Sequence, residues 1–153
     1  MDRSFHYLLM ATQSLFQRGV MAELNGSGLT AGQPKVLEFL SQHGESDQKT
    51  IASYCEIEPA TVGSILLRME RSGLVVRRQH EGNRRSLFVS LTEQGEQAAA
   101  AVAEIFRETE TAAVSGLSPE ELEQLKGLLD RLWRSMETHR MQHDSGEEKN
   151  EIQ

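Results

Sequence analysis

Apolar residues through the first half of the chain recur at helical spacing. Phe5, Leu8, Leu9, Leu15 and Phe16 predict an amphipathic helix over residues 3–24, ended by Asn25-Gly26-Ser27-Gly28. Thr30, with Gln33 three residues on, reads as a capping box opening a second helix; its buried stripe is Val36, Leu37 and Leu40, and Gly44 closes it. Pro34 falls in or just past the first turn, where a missing N–H costs little. Asp47 is the predicted cap of a short third helix with Ile51, Ala52 and Cys55 facing inward. After the turn Glu56-Ile57-Glu58, Pro59 suits the first position of a fourth helix, which runs to Ser72 and stops at Gly73. Its Val62, Ile65, Leu66 and Met69 stand at i, i+3, i+4 and i+7 and form a core face.

The pattern then changes to alternation. Leu74 and Val76, followed by Leu87, Val89 and Leu91, predict two short strands with a turn over His80–Arg84. Two short helices joined by a tight turn, followed by a hairpin, make a winged helix-turn-helix. Thr92 caps a long helix reaching about Val114, and Ser118-Pro119-Glu120-Glu121 restarts a last one. In that helix Leu122, Leu125, Leu129, Leu132 and Met136 step by three and four, with Trp133 beside the seam. The predicted fold is mainly α: a first helix over 1–28, a winged helix-turn-helix over 29–92, C-terminal helices over 93–143, and a polar tail over 144–153 predicted to be disordered.

Composition changes this picture in two places. With 38% hydrophobic residues and few aromatics, a long helical chain is expected to complete its core by pairing. A formal charge of −7 argues against a nucleic-acid partner, but residues 68–85 hold six of the sixteen basic side chains against two acidic ones. A local basic patch governs nucleic-acid affinity more than the total does. One cysteine excludes an intramolecular disulfide and fits a reducing cytoplasm. No apolar run of membrane-spanning length and no secretory signal is present, so a cytoplasmic location without membrane partners is expected.

The fourth helix turns Ala60, Thr61, Gly63, Ser64, Arg68 and Arg71 away from its apolar stripe. The small residues allow close approach to a flat partner, and the helix N-terminus at Pro59 offers unpaired N–H groups that suit a phosphate. Laid in a DNA major groove, such a helix brings Thr61, Ser64 and Arg68 near base edges and Arg71 near the backbone. A solvated polar face is the plainer account; Gly63 weighs against it, because a mid-helix glycine costs about 1 kcal/mol relative to alanine. The hairpin adds Arg77 and Arg78 at its base, within reach of phosphates, and Arg84 and Arg85 at its tip, suited to a minor groove.

The runs LTAGQPKVLEFL and IASYCEIEPATVGSILLRMERSGLVVRRQHEGNRRSLFVSLTEQG, over residues 29–95, resemble the MarR family of bacterial transcriptional regulators. The resemblance implies a homodimeric winged-helix repressor that binds near-palindromic double-stranded DNA and is relieved by a small, often aromatic, effector or a stress signal. The wing residues Asn83, Arg84, Arg85 and Ser86 join the expected DNA contacts. Phe5, Leu8, Leu122, Leu125, Leu129, Leu132, Trp133 and Met136 are the implied dimer interface. His6, Leu9, Met10 and Gln13 of the first helix, with Phe39 and His43 of the second, are the implied effector site. Three positions depart from the family pattern: Asn83 replaces an acidic wing residue, Ser64 an arginine, and Glu56 a glycine. The first two leave open a winged-helix protein-interaction module with weak, non-specific DNA binding.

Other chemistry finds little support. Cys55 reads as an apolar core residue, and His139 and His143 share a helix face without a third ligand, so no metal site or cofactor is expected. No nucleophile–base constellation points to an enzyme.

Overall fold

A computed structural model describes residues 2–150 of the chain, and for Arg84 and residues 145–150 only the course of the backbone. The elements in order are α1 (Phe5–Glu23), α2 (Gln33–His43), β1 (Ser46–Asp47), α3 (Gln48–Cys55), α4 (Pro59–Arg71), β2 (Val75–His80), β3 (Asn83–Leu91), α5 (Glu93–Ala113) and α6 (Pro119–Asn150). The residues up to 111 form one compact unit and those from 112 onward a second.

The core of the first unit is the set of stripes read from the sequence. Val36, Leu37 and Leu40 of α2, Ile51, Ala52 and Cys55 of α3, and Val62, Ile65, Leu66 and Met69 of α4 are all buried. Val75 and Val89 of the sheet and Ala99 and Val102 of α5 close around them. Fully burying each large aliphatic side chain contributes roughly 1.5–3 kcal/mol, before the entropy of ordering it. On α1 only Val20 is buried, while Phe16 stacks on Phe106 of α5 with ring centroids 6.4 Å apart.

Local chemistry sets the element ends. Asp47 caps α3 by accepting the Thr50 N–H at 2.7 Å, and that bond holds its carboxyl below the usual carboxylate range. Gly73 ends α4 with φ +76°; the Leu74 and Gly73 N–H groups bond back to Met69 and Glu70 in a Schellman arrangement. The Thr92 hydroxyl accepts the Gly95 N–H at 3.0 Å and donates to the Gly73 carbonyl at 2.6 Å, which ties the start of α5 to the end of α4.

The start of α2 differs from expectation. Gly32, in the left-handed region at φ +88°, occupies the cap position in place of Thr30. Only half of the predicted box forms: the Gln33 side chain accepts the Thr30 N–H at 3.2 Å. A turn from Thr30 to Gln33 intervenes, and Gly32 suits its third position because φ +88° strains any other residue; a β-carbon there would also displace the end of Ile65, whose Cδ1 would lie at 2.6 Å.

The sheet also differs. It has three antiparallel strands in the order β1-β3-β2; β1, too short to leave a sequence signal, pairs Ser46 with Val89 and Asp47 with Phe88. Alternation in β2 runs in the opposite phase to that predicted: Val75 is buried and Val76 is 41% exposed. The Schellman turn places Leu74 inside before the strand begins, which shifts the inward phase by one residue. The hairpin turn is Glu81-Gly82 rather than His80–Arg84, because His80 and Asn83 pair across it. The ladder is irregular there. Gln79 pairs with Leu87 and His80 with Asn83, so residues 84–86 have no partner in β2 and form a three-residue excursion of β3.

Glu56, at the turn between α3 and α4, has φ 53° and ψ 45° and is the sole non-glycine with positive φ among the described residues. The left-handed region costs a non-glycine residue roughly 1 kcal/mol or more. Part of that is offset by the lower unfolded-state entropy of a side chain. Glu56→Gly is expected to raise stability by about 0.5–1 kcal/mol in urea titration, with an unchanged slope.

The second unit is dominated by α6. Ser118 and Glu121 form a full capping box: the Ser118 hydroxyl accepts the Glu121 N–H at 3.1 Å, and the Glu121 carboxylate accepts the Ser118 N–H at 2.8 Å. Pairs Lys126–Glu123, Arg134–Asp130 and Arg140–Glu137 run along its polar faces. The helix continues to Asn150, through part of the segment predicted as a disordered tail from 144 onward. Glu147, Glu148 and Lys149 are good helix formers, so propagation past Gly146 is not prohibitive. Residues 151–153 of that predicted tail lie outside the described residues.

Candidate nucleic-acid interface

The polar face predicted for α4 is the one the fold leaves outward. Pro59, Ala60, Thr61, Ser64, Arg68 and Arg71 are exposed, opposite the four buried apolar residues. Pro59 stands in the first turn, and Glu58 before it makes no side-chain cap bond. The helix therefore keeps unsatisfied N–H groups and their partial positive charge at that end. The Ser64 hydroxyl donates back to the Ala60 carbonyl at 3.4 Å. Gly63 lies against α3: a β-carbon there would come 3.2 Å from Nε2 of Gln48, whose side chain would have to yield by a few tenths of an ångström.

An open cleft of about 330 Å³ lies between these helix starts and the hairpin. Asp47, Gln48 and Lys49 at the start of α3, Pro59 at the start of α4, and Arg85, Ser86 and Leu87 of β3 line it. Two of its walls are thus helix N-termini, and the third is the excursion of β3. Gln48 and Lys49 are additions to the sequence reading. The cue was available, since an Asp47 cap places both at a helix N-terminus, but without β1 nothing brought that terminus beside the wing.

The wing arginines have unequal fates. Arg77, expected to reach a phosphate, is turned inward: its Nε and Nη2 donate to both oxygens of Glu70 at 3.1 and 3.2 Å, and its side chain is only 17% exposed. A bidentate pair between β2 and α4 wins over an outward pose because both charges are satisfied within the fold. The hydrogen bond from Arg77 lowers the Glu70 carboxyl pKa. Arg78 stays outward at 66% exposure with a loose 3.8 Å pairing to Glu45. Asn83 is exposed beside the turn, and the Arg84 side chain lies outside the described residues. Arg85 is exposed, Ser86 half-buried, and Arg68, Arg71 and Arg85 form no ion pair among the described residues. The free positive charge of this face therefore sits along the outer half of α4 and on the excursion.

The six residues proposed for an effector fall into two sets. Phe39 is buried, and its ring stacks on His43 at 4.6 Å and tilts against Tyr54 at 4.7 Å, so Tyr54 joins that set. On α1, His6 turns to the Ser4 hydroxyl, Gln13 bonds Gln17, Met10 is 66% exposed and Leu9 is half-buried. Cys55 is buried, and desolvation pushes its thiol pKa up, which disfavours the reactive thiolate. His139 and His143 do meet, with ring centroids 4.5 Å apart. No group of three or more metal-ligating side chains occurs among the described residues.

The comparisons with known proteins agree with this fold. The MarR family profile matches residues 29–87. The HTH-type transcriptional regulator FarR of Neisseria gonorrhoeae is 32% identical over 71% of this chain and 75% of its own length. The chain belongs to the MarR family. Among solved structures, the DNA complex of MepR from S. aureus superposes with a TM-score of 0.81 at 28% identity, over 88% of this chain and 99% of that one. NadR in complex with 4-hydroxyphenylacetate gives a TM-score of 0.73 at 27% identity, over 86% and 93%. As a MarR-family chain it is a DNA-binding transcriptional regulator of winged helix-turn-helix fold. No described helix is long and apolar enough to cross a membrane.

Proposed function

We propose that this MarR-family regulator acts in the cytoplasm as a homodimeric repressor. Two α4 helices enter successive major grooves of a near-palindromic operator, and each wing reaches the flanking minor groove. The observation that carries this is the distribution of free cations. Arg68 and Arg71 in the last turns of α4 and Arg85 on the excursion are exposed and uncommitted among the described residues, and Arg85 lines a cleft walled by two helix N-termini. Thr61, Ser64 and Arg68 face bases, and Arg71, Lys49 and the α4 N-terminus hold phosphates. MepR, solved on DNA with nearly the same fold, supports the docking.

A small aromatic molecule relieves repression by favouring a dimer whose two α4 helices no longer match the groove spacing; it acts only through unequal affinity for the two forms. NadR, solved with 4-hydroxyphenylacetate, supports that class of effector. Gel-shift titration against the DNA upstream of the protein's own gene tests the reading. Arg85→Ala is expected to weaken binding by about 1–3 kcal/mol and lower the salt slope by about one. Retardation indifferent to that substitution, or none at low salt, removes the proposal.

A further inference from the structure

We propose that Glu45 is a positioning residue for the wing, through a carboxylate that reaches past the middle strand of the sheet. Glu45 immediately precedes β1, on one side of β3, yet both of its partners stand on β2, on the other side. Its Oε1 lies 2.5 Å from His80 Nε2, and its Oε2 lies 3.8 Å from Arg78 Nε. On the middle strand itself, Phe88 pairs with Asp47 on one side and Arg78 on the other, and its ring centroid lies 4.1 Å from that of His80 in an edge-on arrangement. The carboxylate and the imidazole thus bracket β3.

The location gives the bracket its role. The regular β2–β3 ladder ends between Gln79 and His80, where residues 84–86 leave it. Beyond that point few backbone bonds hold the hairpin, so a side-chain tie at His80 sets where its outer end lies and hence where Arg85 is presented. Glu70 holds the base of the same strand through Arg77. Glu45 also gives Arg78 a weak partner that a phosphate can displace.

The DNA part of this inference rests on the function proposed above, so the test has an arm without DNA. Hydrogen–deuterium exchange on full-length Glu45→Ala is expected to rise about five- to tenfold in peptides covering 78–86, with α2, α3 and α5 unchanged. Exchange unchanged in the wing overturns the proposal. In the second arm, affinities are measured for a duplex selected by the wild-type protein from a random pool and for its scrambled counterpart. Glu45→Ala and His80→Ala are each expected to lose about five- to tenfold on the selected duplex and nothing on the scrambled one. The double variant is expected to lose no more than either single, because both substitutions break the same tie. Glu45→Gln, which keeps an acceptor for the imidazole, is expected to recover most of the loss. Equal losses on both duplexes, or additive singles, overturn the positioning role. A wild-type protein that enriches no duplex sinks the DNA reading instead, and exchange alone then decides the tie.

Discussion

Gly95→Ala is expected to cost about 3 kcal/mol or more, a large part of a small domain's total stability, and to reduce DNA binding in step with the folded fraction. A β-carbon at Gly95 would overlap the Leu74 carbonyl oxygen and crowd Leu91 Cδ2 at 3.2 Å. The obstacle is backbone, and it is already engaged, since that carbonyl accepts the Thr92 N–H at 3.0 Å. Relief would require α5 to withdraw from the start of β2. That movement breaks the Thr92 hydroxyl bonds to Gly73 and Gly95 and opens the core beside Ala99 and Val102. Helix propensity works in the other direction by about 1 kcal/mol and is outweighed. Chemical denaturation of the purified variant checks this; a stability within 1 kcal/mol of wild type would show that α5 is free to shift.

Leu129→Glu is expected to yield monomers that no longer retard operator DNA. The α6 seam includes Leu125, Leu129 and Met136 at 40, 45 and 58% exposure, and Trp133 is 50% exposed. No described side chain of this 32-residue helix is buried. So much apolar surface on one helix is the mark of an interface, and a carboxylate at its centre is costly to bury unpaired. In the proposed dimer, pairing links two half-site contacts into one event. Its loss is expected to reduce operator affinity by about two to four orders of magnitude, with far less effect on non-specific binding per chain. Sedimentation and gel shift on the same sample check both parts. A monomer of unchanged operator affinity would refute the paired reading.

Most of the helical frame was legible because each stripe is a property of a single segment. Val62, Ile65, Leu66 and Met69 face inward whatever their neighbours, and Asp47, Ser118 and Thr92 carry their caps with them. Two misreadings arose where position depends on what lies beside a residue. Ser46-Asp47 becomes a strand only because β3 lies beside it, and Val75 rather than Val76 points inward because the turn at Gly73 sets the phase. The site shows the same division. The outward face of α4 followed from periodicity, whereas the fate of Arg77 depended on Glu70, seven residues earlier on a different element. Nothing in the arginine pairs themselves distinguishes the one turned inward from those left outward. Glu45 escaped notice for that reason: its partners lie more than thirty residues away.

The unpaired stretch 84–86 has an evolutionary corollary. Residues inserted or deleted there leave Val75 opposite Leu91 and Arg77 opposite Val89, because no rung of the ladder passes through it. The length and reach of the wing tip can therefore drift between relatives while the core stays in register. Target preference can diversify at that point without a toll on folding.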